Sequence, residues 1–129
     1  MADVNRGNRP LSPFMLGKYY RFQLNSVTSI MTRVTGNALL LGGLLVTWWL
    51  LAAAAGPVAF ARADWVLTSW IGDIVMFLSL WALWYHALAG LRHLYWDTGR
   101  GFSLDQVRIM GWGIIGGSVV LTIFTALII

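Results

Sequence analysis

Three long runs of apolar residues dominate the chain, at about 36–55, 66–94 and 107–129. Each run reaches or exceeds the roughly 20 residues that a helix needs to cross a hydrocarbon core about 30 Å thick. Polar and basic residues, with scattered glycine and proline, fill positions 1–35 instead. The pattern predicts an all-α integral membrane protein with three transmembrane helices, preceded by a cytoplasmic N-terminal segment, in a single domain over residues 1–129.

Basic residues flank these runs unevenly. Of the nine Lys and Arg residues, only Arg62 lies in the connection between the first and second runs. Because Lys and Arg collect on the cytoplasmic side, we expect a cytoplasmic N-terminus and a periplasmic C-terminus. The first 35 residues contain neither the apolar core of a signal peptide nor an Arg- and Ser-rich leader, which favours a bacterial inner membrane. The charges follow the membrane edges, so nucleic acid is not an expected partner.

The residue inventory excludes several kinds of chemistry. The chain contains no cysteine, five acidic residues and two histidines. It therefore offers no iron–sulfur ligation, no thiolate nucleophile and no disulfide. A complete hydrolytic site is not expected from so few groups. We expect no catalytic residue that works within this chain alone, so any enzyme activity belongs to a complex with other subunits.

Both histidines lie where the second apolar run approaches water. At about 100° per residue, His86, Gly90, His93 and Asp97 fall within roughly 40° of one another on one helix face. A polar group at hydrocarbon depth is costly and usually has a functional reason. This face combines a nitrogen that can ligate a metal, an adjacent gap, a second imidazole and a carboxylate. A histidine that is only hydrogen-bonded within the helical bundle is the alternative.

A hydroxyl-rich stretch precedes the first apolar run. If it is helical, Ser29, Thr32, Arg33 and Gly36 share one face, which places a fixed cation and two hydroxyls at the membrane boundary. The alternative is an arginine that extends toward the interface, with Ser and Thr as helix caps. Composition and spacing alone leave both interpretations open.

Three motifs, in order along the chain, give it a resemblance to a known family. They are Arg9–Pro10, the sequence Ser-Ile-Met-Thr-Arg-Val-Thr-Gly at 29–36, and His-Ala-Leu-Ala-Gly-Leu-Arg-His-Leu-Tyr-Trp-Asp at 86–97. The chain resembles the cytochrome b subunit of succinate dehydrogenase (complex II), which is its larger membrane anchor. One departure is Thr32, which stands where the family pattern often has a histidine near the haem propionates. A threonine hydroxyl supplies no positive charge at that position.

The resemblance implies that His86 is an axial ligand of haem b. Gly90, one turn away, leaves room for a flat macrocycle. His93 cannot be the opposite ligand, because seven residues of helix separate the two imidazoles by about 10 Å along the axis. We therefore expect the second ligand from another chain, the second small membrane-anchor subunit. His93 is expected at the inner edge, toward a haem propionate, a carboxylate or a neighbouring subunit.

The resemblance also implies a ubiquinone site that includes Ser29 and Arg33. A hydroxyl and a guanidinium suit the quinone carbonyl oxygens, where negative charge develops on reduction. Arg33 is also expected near a haem propionate, and Arg92 and Asp97 as orienting or docking groups. The expected partners are the iron–sulfur subunit, the flavoprotein subunit, the second anchor and membrane lipid. The alternatives are the anchor of a quinol:fumarate reductase and a purely structural anchor without haem.

Overall fold

A computed structural model of the protein describes residues 22–129. Over these residues there is no strand, and three helices, Leu24–Ala55, Trp70–Asp97 and Leu104–Ile128, are long and apolar enough to cross a membrane. This confirms the predicted all-α fold with three candidate membrane spans. The Arg9–Pro10 motif lies outside the described residues. The four helices are α1 (Leu24–Ala55), α2 (Pro57–Leu67), α3 (Trp70–Asp97) and α4 (Leu104–Ile128).

Helix α1 begins well before the first apolar run, at Leu24 rather than near residue 36. The backbone N–H of Gln23 donates to Ser26 Oγ at 3.2 Å and closes the first turn. Threonine hydroxyls in this stretch donate to backbone carbonyls three or four residues earlier. The hydroxyls of Thr28, Thr32 and Thr35 are thus satisfied within the helix. Hydropathy marks only the apolar part of a helix that is 32 residues long.

The connection between the first two apolar runs contains the short helix α2. Gly56 has a φ of 122°, a left-handed conformation that ends α1 and that other residues rarely adopt. Pro57 then occupies the first turn of α2, where its missing N–H costs nothing. The side chain of Ser69 accepts from the backbone N–H of Gly72 at 3.2 Å and starts α3. Residues 66 and 67, expected in the second membrane span, therefore belong to α2.

A tight turn joins α3 to α4. Gly99 and Gly101 have φ values of 75° and 84°, and the indole N–H of Trp96 donates to the Gly101 carbonyl at 3.1 Å. Ser103 then caps α4 by accepting from the backbone N–H of Gln106 at 3.4 Å. The turn places the last residues of α3 and the first residues of α4 at the same end of the bundle. The N-terminal part of α1 lies at this end too, because a Cβ added at Gly111 would meet Leu24.

Helix α3 packs between α1 and α4 and contributes two of the three residues of the buried apolar cluster. Tyr85 and Ala89 form a buried cluster with Ile114 of α4. The cluster is small, and most large apolar side chains of the three long helices point outward. Such outward apolar surface is what lipid or other membrane helices cover. The polar residues that α3 turns toward α1 form the candidate site.

Candidate functional site at the α1–α3 seam

His86 projects from α3 onto α1. Its Nδ1 lies 3.1 Å from the carbonyl oxygen of Thr32 and 3.4 Å from Oγ1 of Thr35. A carbonyl oxygen only accepts, so this hydrogen bond requires the proton on Nδ1 and leaves the lone pair on Nε2. An imidazole held in this way by a backbone carbonyl is the usual arrangement of a metal-ligating histidine. The geometry thus suits His86 as a ligand through Nε2.

Two glycines shape the space around this imidazole. A Cβ added at Gly36 would lie 3.1 Å from Cε1 of His86, so the ring occupies the place that a side chain at position 36 would fill. A Cβ at Gly90, on the predicted face one turn beyond His86, would meet no atom within 4 Å. Gly36 therefore brings the ring close to α1, and Gly90 leaves the adjacent surface of α3 open. This fits a flat ligand beside His86.

Ser29 and Arg33 lie on the same α1 face as Gly36, as their spacing predicts for a helix. Both side chains are exposed. Within residues 22–129 neither side chain has a hydrogen bond or ion pair, and the Arg33 carbonyl accepts from Asn37 Nδ2 at 3.1 Å. The face that holds the His86 ring thus continues to a guanidinium and a hydroxyl that have no partner among the described residues. Ser29 lies about 10 Å from Gly36 along the axis.

Thr32 contributes its backbone rather than its side chain. Its hydroxyl donates to the Thr28 carbonyl at 2.8 Å within α1, whereas its own carbonyl receives the His86 contact. The threonine at this position therefore leaves the His86 interaction intact, because any residue supplies the same carbonyl. It adds no cation to the site, as the sequence indicated.

His93 and Asp97 lie apart from His86. His93 is exposed, with Nδ1 2.7 Å from the Ala89 carbonyl and its ring edge-on to Trp96 at a centroid distance of 5.3 Å. Asp97 is exposed and has no ion pair within the described part of the chain. The structure thus brings His86 together with α1 but leaves His93 and Asp97 on the open surface near the end of α3.

Arg92, which the sequence predicts to be an orienting or docking group, is buried. Its side chain is 5% exposed, and its Nη1 donates to Oγ1 of Thr28 at 3.2 Å. The guanidinium carbon lies 4.7 Å from the centroid of the Trp96 ring, a cation–π contact. The hydroxyl of Tyr85 donates to the Thr28 carbonyl at 3.3 Å. Thr28 therefore receives two contacts from α3.

Thr28 and Tyr85 were not among the residues singled out from the sequence. Tyr85 and Arg92 are seven residues apart and therefore share a helix face. Alanines at 82 and 89 lie on that face and let a neighbouring helix approach. That pattern, together with the hydroxyl-rich stretch of α1, is the signal that could have identified the contact.

The described residues contain no group of three or more His, Cys, Asp or Glu side chains that could hold a metal ion by themselves. The donor set at His86 is a single imidazole. Such a set suits a metal that is held mainly by its own macrocycle and takes one axial ligand from this chain.

The fold and the site define a class: a multi-pass helical membrane protein with a histidine and an arginine of one span held against the N-terminal half of another. A model of the family described as "Succinate dehydrogenase/Fumarate reductase transmembrane subunit" matches residues 5–125. The match covers nearly the whole chain. The chain belongs to this family, as the three sequence motifs indicated.

Relatives of known name agree with this membership. The succinate dehydrogenase cytochrome b556 subunit of Paracoccus denitrificans is 56% identical over 128 residues, which cover 99% of this chain and 97% of that protein. The subunit of the same name from Rickettsia conorii is 36% identical over 89% of this chain and 88% of that protein. The mitochondrial cytochrome b560 subunit of Bos taurus is 33% identical over 84% of this chain and 64% of that protein.

Proposed function

We propose that this chain is the cytochrome b membrane anchor of a bacterial succinate dehydrogenase. In that complex it would join the flavoprotein subunit, the iron–sulfur subunit and a second small anchor, and electrons from succinate would reach ubiquinone. The name of the Paracoccus relative supports succinate oxidation over fumarate reduction. Family membership and the three candidate spans support the anchoring role.

His86 is proposed as an axial ligand of haem b. The observation that carries this is the contact of 3.1 Å between Nδ1 and the Thr32 carbonyl, which leaves Nε2 available. When bound, haem b supplies a one-electron carrier. The chain has only two histidines, and His93 is about 10 Å from His86 along α3. The opposite ligand would therefore come from the second anchor, and Arg33 and His93 are the candidates to approach the propionates.

Ser29 and Arg33 are proposed as part of the ubiquinone site. Their side chains are exposed and lack partners within residues 22–129, so the hydroxyl and the guanidinium remain free for another molecule. Both groups donate hydrogen bonds, and the cation stabilises negative charge on a quinone oxygen. The iron–sulfur subunit and the second anchor would complete the pocket.

Haem content tests the ligand role. We expect the purified complex to contain haem b that is lost from His86→Ala while all subunits remain assembled. Trp84→Phe is the matched control, because it removes a hydrogen bond that the same helix makes on its α4 side and leaves the Thr32 contact in place. Equal haem loss from both variants would contradict the assignment of His86.

Two activity assays on one preparation test the quinone site. Arg33→Ala should lower ubiquinone reduction by about tenfold or more, as expected when an oxygen-stabilising donor is removed. Succinate oxidation with an artificial acceptor should stay unchanged, because that reaction bypasses the quinone. Arg62→Ala, which removes a cation at the other end of the bundle, is the control. Equal loss of both activities in an assembled Arg33→Ala complex would refute the proposal.

We also propose the orientation of the chain in the membrane, with the start of α1 on the cytoplasmic side. Among the described residues, Arg33, Arg92, Arg100 and Arg108 lie toward the end where α1 begins, and Arg62 lies in α2 at the other end. The positive-inside rule therefore assigns the α1 start to the cytoplasm. Because the chain has no cysteine, single cysteines can report each side. In intact spheroplasts, Thr68→Cys should react with an impermeant maleimide and Thr98→Cys should not. The reverse labelling pattern would show that the chain is inserted in the opposite orientation.

A further inference from the structure

Thr28 is the point where all three long helices meet. It is fully buried, at 0% exposure. From α3, Tyr85 donates to its carbonyl at 3.3 Å and Arg92 donates to its hydroxyl at 3.2 Å. From α4, a Cβ added at Gly111 would lie 3.8 Å from its methyl group. We name Thr28, Tyr85 and Arg92 the Thr28 clamp.

The cation in this clamp is costly, which points to a role beyond packing. Arg92 is almost entirely buried, and its Nε has no hydrogen-bond partner within residues 22–129. No carboxylate in that part of the chain pairs with it. The Trp96 ring at 4.7 Å and the Thr28 hydroxyl stabilise its charge. Apolar residues could pack α1 against α3 without this desolvation cost.

The clamp holds the turn of α1 that carries Ser29. Thr28 immediately precedes Ser29, and one turn later the Thr32 carbonyl contacts His86 Nδ1 at 3.1 Å. The turn from 28 to 32 is therefore attached to α3 at both ends. Contacts at both ends restrain rotation and sliding of this turn against α3, so the direction of the Cα–Cβ bond of Ser29 is restrained with it.

We propose that Arg92 is a positioning residue for the quinone site, which acts through Thr28 to hold Ser29 and Arg33 in place. This inference rests on the proposed ubiquinone function. Arg92 does not contact quinone itself, since its guanidinium is enclosed by Thr28 and Trp96 and only 5% of the residue is exposed. Tyr85 supports the same turn through the Thr28 carbonyl.

A mutant cycle on the assembled complex tests the proposal. Arg92→Gln should raise the KM for a short-chain ubiquinone about tenfold, since small misplacements of binding groups have effects of this order or larger. Thr28→Val should raise it in the same direction. The double variant should be no worse than Arg92→Gln alone, because both changes break one contact. The b-type spectrum and artificial-acceptor turnover should stay unchanged.

Two further variants separate positioning from general damage. Tyr85→Phe removes only the hydroxyl and should raise the quinone KM by a smaller factor. Trp84→Phe breaks a hydrogen bond of 3.0 Å between α3 and Thr125 of α4, away from the clamp, and should leave the quinone KM unchanged. If Arg92→Gln prevents assembly, Tyr85→Phe and Thr28→Val still decide the question.

The outcomes distinguish this inference from the function on which it rests. Additive effects of Arg92→Gln and Thr28→Val, or an unchanged quinone KM in the clamp variants, would overturn the positioning role. If Ser29→Ala and Arg33→Ala also leave the quinone KM unchanged, the quinone site has been assigned to the wrong residues. If those two raise the KM and the clamp variants do not, only the positioning role fails.

Discussion

Toward α1, helix α3 presents a tyrosine, a histidine and an arginine, whereas toward α4 it presents two tryptophans. On the α1 side these groups contact the carbonyls of Thr28 and Thr32 and the Thr28 hydroxyl. On the α4 side, the indole N–H groups of Trp81 and Trp84 donate to the hydroxyls of Ser118 and Thr125 at 3.2 and 3.0 Å.

The two seams, which are the contact between α1 and α3 and the contact between α3 and α4, differ more in their chemical groups than in their packing. The α3–α4 seam joins large rings to small hydroxyls, groups that stay neutral, and suits a fixed contact between helices. The α1–α3 seam contains an imidazole whose Nε2 has no partner within residues 22–129 and a buried cation, and burying such polar groups costs more desolvation free energy than burying apolar residues. A membrane helix with two neighbours can thus use one seam for assembly and the other for chemistry.

Gly36 lies at the α1–α3 seam and Gly117 at the α3–α4 seam, and an added Cβ would come equally close to a neighbour at each position. A Cβ at Gly36 would lie 3.1 Å from the His86 ring, and a Cβ at Gly117 would lie 3.1 Å from Cδ1 of Leu88. Overpacking by valine at either position should destabilise the chain by about 1–3 kcal/mol. Only Gly36→Val should displace the imidazole, so we expect it to lose most of its haem signal while Gly117→Val keeps it. Equal haem loss, measured per assembled complex, would contradict the division between the seams.

Indole hydrogen bonds on the α4 side should have a smaller effect. Trp84→Phe keeps most of the apolar contact and removes one interhelical hydrogen bond, worth about 0.6 kcal/mol in a membrane. We expect a small decrease in the thermal midpoint of the complex, with the haem spectrum unchanged. A shifted haem spectrum would mean that this seam also supports the α1 site.

The smallest effect on the stability of the complex is expected from a substitution on the open face of α4. A Cβ at Gly113 or Gly116 would meet no atom within 4 Å. Gly113→Ala should therefore leave the thermal midpoint and the haem spectrum unchanged, because the added methyl group meets no neighbouring atom. Failure of Gly113→Ala to assemble would show that a partner subunit packs its backbone against this face.

The sequence predicted the three spans because long apolar runs have few alternatives in a bilayer. It did not predict α2, which is too short for a span and starts at Pro57 in an interval that looks like a loop. The apolar run marks only the part of α1 from about residue 36, whereas the helix begins at Leu24, since the threonines before residue 36 satisfy their hydroxyls within the helix. Hydropathy detects contact with lipid, whereas capping and local hydrogen bonds decide where a helix begins.

The site was predictable in part. Spacing placed Ser29 and Arg33 on the face of Gly36, and the structure adds the His86 ring against that glycine. The burial of Arg92 was not predictable, because it depends on the approach of Thr28 from another helix. The residues that share one face of a helix can be derived from the sequence of that helix. Which faces of two helices pack together is known only from the fold.

The role of His86 is the central claim, and rescue by an added ligand tests it most directly. We would record the dithionite-reduced minus oxidised spectrum of an assembled His86→Gly complex, with and without imidazole. We predict that the b-type signal of the wild-type complex is lost or altered in His86→Gly and recovers on addition of imidazole. A His86→Gly complex with an unchanged b-type spectrum in the absence of imidazole would contradict the assignment of His86 as the haem ligand.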